Sequence, residues 1–411
     1  MERTMSCKPV NECRCCGSGN LKTVLDLGSQ PLANSYHKGG KQEQYPLCLM
    51  LCERCFHSQL SVVVDPDEMF IDYVYISGTS QTLHDYFDWF ADMVQHECGK
   101  IGSVLDIACN DGTQLRKFKN RGWLTHGVDP AKNLLHLSCA NADKIVCDYL
   151  NVPALTELGS VKYDAIIAQN VFAHTHDIVH FLECCKTAMS ETTRLYIQTS
   201  QADMIENNQF DTIYHEHLSF FSANSMKTVC ERVGLKLVSV KKTDIHGGSY
   251  VFTISLGGSE DSSVSTIIES ERAAGRYSVE RYDDYRQKVE RVIFNFRKFA
   301  SLYCSKGYLL VGYGAAAKGN TFLNASGVKL HFIVDDNPLK QGLLTPGTNT
   351  MIVSSDLIGK FAHNTAFIPL AWNFHNEIRS KIKSKVDLLD FKNNFSYLIH
   401  AYYPTATTEV L

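Results

Sequence analysis

The sequence predicts an α/β protein in three structural parts. These are a small N-terminal region pinned by cysteine, a central doubly wound Rossmann-like segment, and a second Rossmann-like segment at the C-terminus. Three observations carry that reading. Two Cys-x-x-Cys pairs stand in the N-terminal region. Short β-branched runs then alternate with helix-patterned stretches, the signature of a parallel sheet covered on both faces. A glycine-rich turn between strand and helix, LLVGYGAAAKGNT, opens a further alternation of the same kind.

Length and charge set the frame. At 411 residues the chain exceeds one ordinary core, and about 150 residues per domain gives two or three domains. Hydrophobic residues make up 44% and charged residues 20%, the balance of a soluble globular chain. A net charge of -4 provides no basic field for nucleic acid, although a local site can still hold a small anion. No apolar run approaches the roughly 20 residues needed to span a membrane. The N-terminal MERTMSCKPVNECRCCG lacks the apolar core of a secretory signal. Fifteen cysteines spread along such a chain point to a reducing, cytoplasmic setting with most thiols free.

The elements follow in order. Residues 1–80 are turn-rich and form the cysteine-paired region. In LHDYFDWFADMVQHE, Leu83, Tyr86, Phe87, Phe90 and Val94 recur at helical spacing. Over 81–200, SVLDIA is a strand ending in CNDG, and TQLRKFKN is a helix. WLTHGVD is a second strand, and PAKNLLHLS is a helix with Pro130 in its first turn. KIVCD, YDAIIAQN and RLYIQT are the third, fourth and fifth strands, with the helix IVHFLECCKTAM before the last. Residues 201–304 hold YHEHLSFFS, a helix stopped by Gly234, the strands LKLVSVKK and SYVFTISL, and a charged helical connector. Residues 305–411 hold the glycine-rich turn, the strands of HFIVDDNP, MIVSS and TAFIPLAW, and a helix starting near His375.

Cys13-x-x-Cys16 and Cys52-x-x-Cys55 are knuckle pairs separated by about 35 residues. Four thiolates close a tetrahedron around Zn2+ with no position left for water, so the metal expected here is structural. It would hold together a region without a large core. Gly17 permits the tight turn after the first pair. The competing reading is free or redox-active thiols, and Cys15, Cys7, Cys48 and His57 are substitute ligands.

The strand ends of the central segment carry a series of polar residues. Asp106 and Ala108 end the first strand, and Asn110, Asp111 and Gly112 turn into the helix. Asp129 closes the second strand, where a carboxylate can accept both hydroxyls of a ribose. Asp148 follows the third strand and suits an adenine amino group, and Asn170 follows the fourth. The G-x-G-x-x-G pattern that lets backbone approach a pyrophosphate is absent, which disfavours NAD. An adenosine ligand without phosphate fits better, and S-adenosylmethionine is one. Taken singly, each residue is an ordinary helix cap or turn; the ordered series is the signal.

In the C-terminal segment Gly312 and Gly314 narrow the turn, Lys318 and Asn320 lie beyond it, and Asp335 and Asp336 end the next strand. An NAD site, a phosphate cradle at a helix N-terminus and a packing relic are the competing readings. The stretch YHEHLSFF places Tyr214, His215, Glu216 and His217 together. On residue types alone it is a metal site, a solvated loop or an acid–base centre.

The two cysteine pairs combine with LDLGSQPLANSY, YPLCLMLCERCFHSQL, YVYISGTS, LDIACNDGTQL, YHEHLSFFS, HGGSY, GYGAAAKGNT and VDDNPLKQGLLTPGT. Together they resemble the nucleotide-sugar C-methyltransferases of deoxysugar biosynthesis, the group that installs a branch methyl on tetronitrose- or mycarose-type sugars, over essentially the full length. The resemblance implies a zinc-binding region, an S-adenosylmethionine fold and a C-terminal Rossmann-like region. It implies a 4-keto-6-deoxy sugar linked to dTDP or GDP as substrate, methylated at C-3. It makes His217 the base, with Tyr214, Glu216 and His215 around it. Ala108 departs from the glycine that many methyltransferases carry there.

Hydroxyls in YVYISGTS, with Tyr75, Ser77 and Thr79 foremost, suit the methionine tail of the donor. His246 and Gly247 of HGGSY, with Gly314, Lys318, Asn320 and Asn373, are the substrate-binding candidates. A packed turn is the plainer reading of each. The competing functions are an NAD-dependent sugar-nucleotide oxidoreductase or epimerase, a sugar-nucleotide-binding protein without catalysis, and O-methylation.

Overall fold

The computed structural model describes residues 7–71, 76–79, 81–200, 202–360, 363–387, 395–403 and 405–411. The chain forms two compact units that are interleaved in sequence. Unit one takes Met1–Lys22, Met50–Asp203 and Glu216–Ser278; unit two takes Thr23–Leu49, Met204–His215 and Val279–Leu411.

The N-terminal elements are β1 (Cys7–Pro9), β2 (Leu21–Gln30), β3 (Tyr45–Cys52), β4 (Ser58–Leu60), β5 (Val62–Val64) and α1 (Asp67–Phe70). β2 and β3 carry the chain out of unit one and back. α2 (Gln81–Cys98) buries Leu83, Phe87, Phe90, Ala91 and Val94, the stripe that the helical spacing predicts.

The strand–helix alternation follows as β6 (Ser103–Ile107), α3 (Thr113–Lys119), β7 (Leu124–Val128), α4 (Leu135–Asn141) and β8 (Lys144–Val146). It continues through α5 (Val152–Glu157), β9 (Ala165–Gln169), α6 (Ile178–Thr187) and β10 (Arg194–Ser200). After β11 (Ser219–Phe220) and α7 (Ala223–Arg232) come β12 (Lys236–Thr243), β13 (Ser249–Ser255) and α8 (Ser262–Ala273). The sheet of unit one has seven strands in the order β12-β13-β10-β9-β6-β7-β8. β6 to β10 are parallel. β13 runs antiparallel to β10, and β12 antiparallel to β13.

The predicted strands are present, but LKLVSVKK and SYVFTISL do more than follow the sheet. They extend it, because Leu237, Val240, Tyr250, Phe252 and Ile254 bury in the core that also takes Ile166 and Ile197. Ala165, Ile167 and Tyr196 fill the opposite face beneath Phe90 and Val94 of α2. Burial on both faces is why β9 and β10 read as nearly continuous apolar runs.

α9 (Val279–Ser305) leads into unit two, followed by β14 (Leu309–Tyr313), α10 (Ala317–Ser326), β15 (Phe332–Val334) and β16 (Ile352–Val353). β17 (Thr365–Pro369), α11 (His375–Val386), β18 (Tyr397–Ala401) and β19 (Thr407–Val410) complete it. Its six strands run in the order β16-β15-β14-β17-β18-β19, parallel except for β19. In both sheets the strand order reverses beside the first strand, β6 in one and β14 in the other. Open α/β sheets bind ligands at the carboxyl edge at that point. Among the described residues no helix is long and apolar enough to cross a membrane.

Candidate active site and metal centre

In unit one the loop after β6 is bent by successive left-handed residues: Ala108 at φ 59°, Asn110 at 53° and Gly112 at 74°. Ala108 therefore holds a conformation that costs any residue with a Cβ roughly 1 kcal/mol or more. The amide of Asn110 donates to Asp129 Oδ2 at 2.8 Å, and that of Ala131 to Asp129 Oδ1 at 2.8 Å. This clamps the loop to the end of β7. The segment ISGT folds onto the same loop: Ser77 N–H donates to Asn110 Oδ1 at 3.0 Å, and Gly78 N–H to Asp111 Oδ2 at 3.0 Å. A Cβ on Gly78 would stand 2.5 Å from Asp111 Oδ2 and 2.6 Å from Thr113 Oγ1, so any larger residue must displace those side chains.

Asp106, Asp111 and Asp129 are all buried around this turn. Burial, reinforced by Asp129 and Asp111, raises the Asp106 carboxyl well above the usual carboxylate range. Burial raises Asp129 as well. So dense a group of acids is suited to a cationic ligand, and S-adenosylmethionine carries both an ammonium and a sulfonium.

Asp148 follows β8; it accepts from Tyr149 N–H and from Asn151 Nδ2 at 2.9 Å. Asn170 follows β9 at φ 53°, with its amide on Gln198 O. The turn with His246 and Gly247 reaches the same edge, because Ser249 at the start of β13 pairs with Ser200 at the end of β10. His246 is itself left-handed, at φ 56°. The structure thus brings Ser77, Asp106, Ala108, Asn110, Asp111 and Asp129 together, with Asp148, Asn170 and His246 along one sheet edge. The backbone of Thr79 closes the short turn Ser77–Thr79. Tyr75 lies outside the described residues.

YHEH is a turn rather than an extended strand, so alternate residues do not simply point to opposite sides. His215, Glu216 and His217 are buried, which overturns the solvated-loop reading. His215 belongs to unit two; its Nε2 lies 3.3 Å from both Tyr45 O and Pro46 O. Two carbonyl neighbours require that nitrogen to carry the proton. Burial lowers the His215 pKa to about 4.

His217 belongs to unit one, where sequence reasoning missed its neighbour. His174, on the short helix just after β9, faces it with ring centroids 5.0 Å apart. Burial lowers the His174 pKa to about 4, so it is neutral at physiological pH. A backbone bond links the two segments: Leu218 N–H donates to Ala173 O at 2.8 Å. The histidine-rich AHTHD in the sequence was the available signal, and it lacked a partner until the fold supplied one.

In unit two Gly314 follows β14 at φ 88°, and a Cβ there would stand 3.2 Å from Ala371 Cβ. Lys318 lies over the Trp372 ring at 4.7 Å, and Asn373 is the next residue. Asp211, buried and not foreseen, accepts from Trp372 Nε1 at 2.7 Å and from Tyr402 Oη at 3.2 Å. Its carboxyl is pushed up by burial, while burial pushes the Lys318 amine down. Asn320 is fully buried; its amide donates to Ala33 O at 2.8 Å and to Tyr36 Oη at 3.3 Å.

The four cysteines of the N-terminal pairs converge. Cys13 Sγ and Cys55 Sγ are 3.5 Å apart, Cys16 Sγ and Cys52 Sγ 3.6 Å, and all four lie within 4.8 Å of one another. A Zn–S bond of about 2.3 Å sets tetrahedral S···S edges near 3.8 Å, so the set fits zinc. Cys15, Cys7, Cys48 and His57 are not in the cluster. The two knuckles match: Gly17 N–H donates to Cys13 O and Phe56 N–H to Cys52 O, each at 2.8 Å. Gly17 and Phe56 are both left-handed, at φ 72° and 56°.

Three family models match in succession: "Putative zinc binding domain" over 13–70, "Methyltransferase domain" over 79–240 and "C-methyltransferase C-terminal domain" over 244–388. The C-methyltransferase NovU of Streptomyces niveus is 28% identical over 386 residues, covering 90% of this chain and 92% of that protein. The human mitochondrial ubiquinone biosynthesis O-methyltransferase is 24% identical over 166 residues, 35% of this chain and 45% of that one. The magnesium protoporphyrin IX methyltransferase ChlM of Synechocystis PCC 6803 with bound SAM is 13% identical at a TM-score of 0.33. That match covers 42% of this chain and 79% of ChlM, too distant to bear on function. The cysteine centre, the acid-lined loop at the switch point and the three consecutive matches converge: this chain is an S-adenosylmethionine-dependent C-methyltransferase with a four-cysteine zinc site near its N-terminus.

Proposed function

We propose that the protein methylates C-3 of a 4-keto-6-deoxyhexose carried on dTDP or GDP, with His217 as the base. One observation carries this reading. A buried imidazole lies at the carboxyl edge of the unit-one sheet, against a second imidazole that burial keeps neutral. A carbon acid beside a ketone needs such a base, neutral and shielded from water. His217 takes the C-3 proton, and the electron pair passes into the enediolate. His174 is a neutral N–H donor for the oxygen that gains charge. S-adenosylmethionine supplies the electrophilic methyl: C-3 bonds to it as the C–S pair returns to sulfur. Glu216 fixes the tautomer of the base, and Tyr214 adds a hydroxyl to the same turn. Ser77, Asp106, Ala108, Asn110, Asp111, Asp129, Asp148 and Asn170 bind the donor. His246 and Gly247 bind the sugar, and Gly314, Lys318 and Asn373 bind the diphosphate or base.

The NAD alternative draws little support from unit two. Asp335, where a ribose would sit, accepts from Ala315 N–H at 2.6 Å and from Asn337 N–H at 2.8 Å. Asp336 is bound by Tyr313 and by Lys381 Nζ, each at 3.1 Å.

The test is mass spectrometry of a 4-keto-6-deoxy sugar nucleotide incubated with enzyme and S-adenosylmethionine. A product one methyl heavier that has lost its C-3 hydrogen is expected. A product that keeps that hydrogen would mean O-methylation. His217→Asn should bind donor normally yet yield no product; near-normal turnover would remove His217 from the role of base.

A further inference from the structure

The zinc knuckles contain a residue whose side chain does not serve the metal. Arg14 lies inside Cys13-x-x-Cys16, yet its guanidinium is buried and turned toward the YHEH segment. Its Nη1 donates to Leu218 O at 3.0 Å and to Leu60 O at 3.3 Å. The same Leu218 carbonyl accepts Leu60 N–H at 3.0 Å, and Leu218 N–H donates to Ala173 O at 2.8 Å. Leu218 is thus held from both sides. Its chain neighbour is His217, and the chain neighbour of Ala173 is His174.

Further ties fix the register. Arg14 N–H donates to Gln59 Oε1 at 2.9 Å, and Gln59 Nε2 to Glu12 O at 3.0 Å. Gln59 pairs with Ser219 where β4 meets β11. The second knuckle contributes separately. His57, two residues past Cys55, has Nε2 3.2 Å from Ser219 Oγ, and its ring packs on Phe221 with centroids 5.0 Å apart. Phe221 in turn stacks on Phe172 at 4.8 Å, beside Ala173.

Charge points the same way. A zinc ion held by four thiolates would be doubly negative, and two guanidinium groups lie beside the knuckle that would hold it. Arg14 is the first. Arg232 is the second, with Nη1 3.2 Å from Arg14 O and 3.3 Å from Cys15 O.

We propose that Arg14 is a positioning residue for methyl transfer: it transmits the fold of the metal centre to Leu218 and so holds His217 against His174. The metal centre would then set active-site geometry as well as stability. The catalytic consequence rests on His217 being the base; the mechanical one does not.

The experiment uses the full-length protein with zinc content, steady-state kinetics and amide hydrogen exchange read together. Arg14→Met should keep one zinc per chain and an unchanged KM for S-adenosylmethionine, lose about ten- to a hundredfold in kcat, and expose the Leu218 amide to faster exchange. Arg14→Lys, which keeps the charge and one donor, should recover part of kcat. Should Arg14→Met fail to fold, Ser219→Ala cuts the second tie and should raise exchange at Leu218 with zinc retained. In wild type, stripping zinc by chelation should deprotect Leu218, and Zn2+ alone should restore it. Unchanged kcat and unchanged Leu218 exchange in a zinc-loaded Arg14→Met or Ser219→Ala would overturn the proposal. If zinc still governs Leu218 while His217→Asn keeps its turnover, only the base assignment falls.

Discussion

His174 and His217 face each other across 5.0 Å with their ring planes inclined at 41°, although 42 residues separate them in sequence. A buried pair of imidazoles can share one proton but not carry two charges without a large cost. On the proposed assignment His217 takes the proton while His174 stays neutral and donates to the oxygen that gains charge.

His174→Asn removes that second ring while keeping a side chain that can hydrogen bond. The expected result is a fall in kcat of about ten- to a hundredfold, the usual weight of one positioned donor. Affinity for S-adenosylmethionine should be unchanged. Single-turnover kinetics and donor titration check it, and equal losses in both would place His174 in binding.

Gly78→Ala should damage donor binding more than folding. Its Cβ would meet Asp111 Oδ2 at 2.5 Å, so the Asp111 side chain must leave the Gly78 N–H it accepts from. A rise of tenfold or more in the dissociation constant is expected, about 1.4 kcal/mol at least. Isothermal titration with S-adenosylhomocysteine measures it, and a melting temperature close to wild type would confine the effect to the loop.

Ala108→Gly should be neutral to stabilising. The left-handed φ of 59° costs alanine about 1 kcal/mol or more, and the entropic penalty of glycine is about the same size or less. Ala108→Val should instead lose about 2 kcal/mol or more, since a branched side chain is a poor fit to that backbone. Urea unfolding of the two variants gives the comparison.

His400→Phe tests a pH effect. The His400 ring stacks on Phe299 with centroids 3.7 Å apart, and burial lowers its pKa to about 4. Its folded pKa is below the unfolded value of about 6.5. Between these values the unfolded chain binds the extra proton, so stability contributed by neutral His400 is intact above pH about 6.5 and is lost as pH falls toward 4. Phenylalanine cannot titrate. It forfeits the contact of Nδ1 with Thr408 Oγ1 at 2.9 Å, so the variant should be slightly weaker at pH 8. It should gain on wild type by about 3 kcal/mol by pH 4. A gap that stays constant with pH would refute the burial argument.

Much of this was legible in the chain because its signals are local. Helical spacing gave the buried stripe of α2, and the spacing of the cysteines gave the metal centre. The polar residues at strand ends gave the turn built by Asp106, Asn110 and Asp129. What sequence could not show is pairing at long range. The addition of β12 and β13 to the central sheet depends on which core receives their apolar faces. The meeting of His174 with His217 depends on long-range contacts such as the backbone bond from Leu218 to Ala173 and the stack of Phe221 on Phe172, and Asp211 acquires Trp372 and Tyr402 only in the folded chain. Nothing in the residue types of YHEH announces the turn it makes.

The interleaving of the two units has a consequence for biosynthesis. Each draws on three separate stretches of polypeptide, and Val279–Leu411 supplies the bulk of unit two last. Thr23–Leu49 and Met204–His215 must therefore wait on the emerging chain without their eventual neighbours, exposed to chaperones and to aggregation. A gene cut after codon 278 should yield insoluble product rather than a working half.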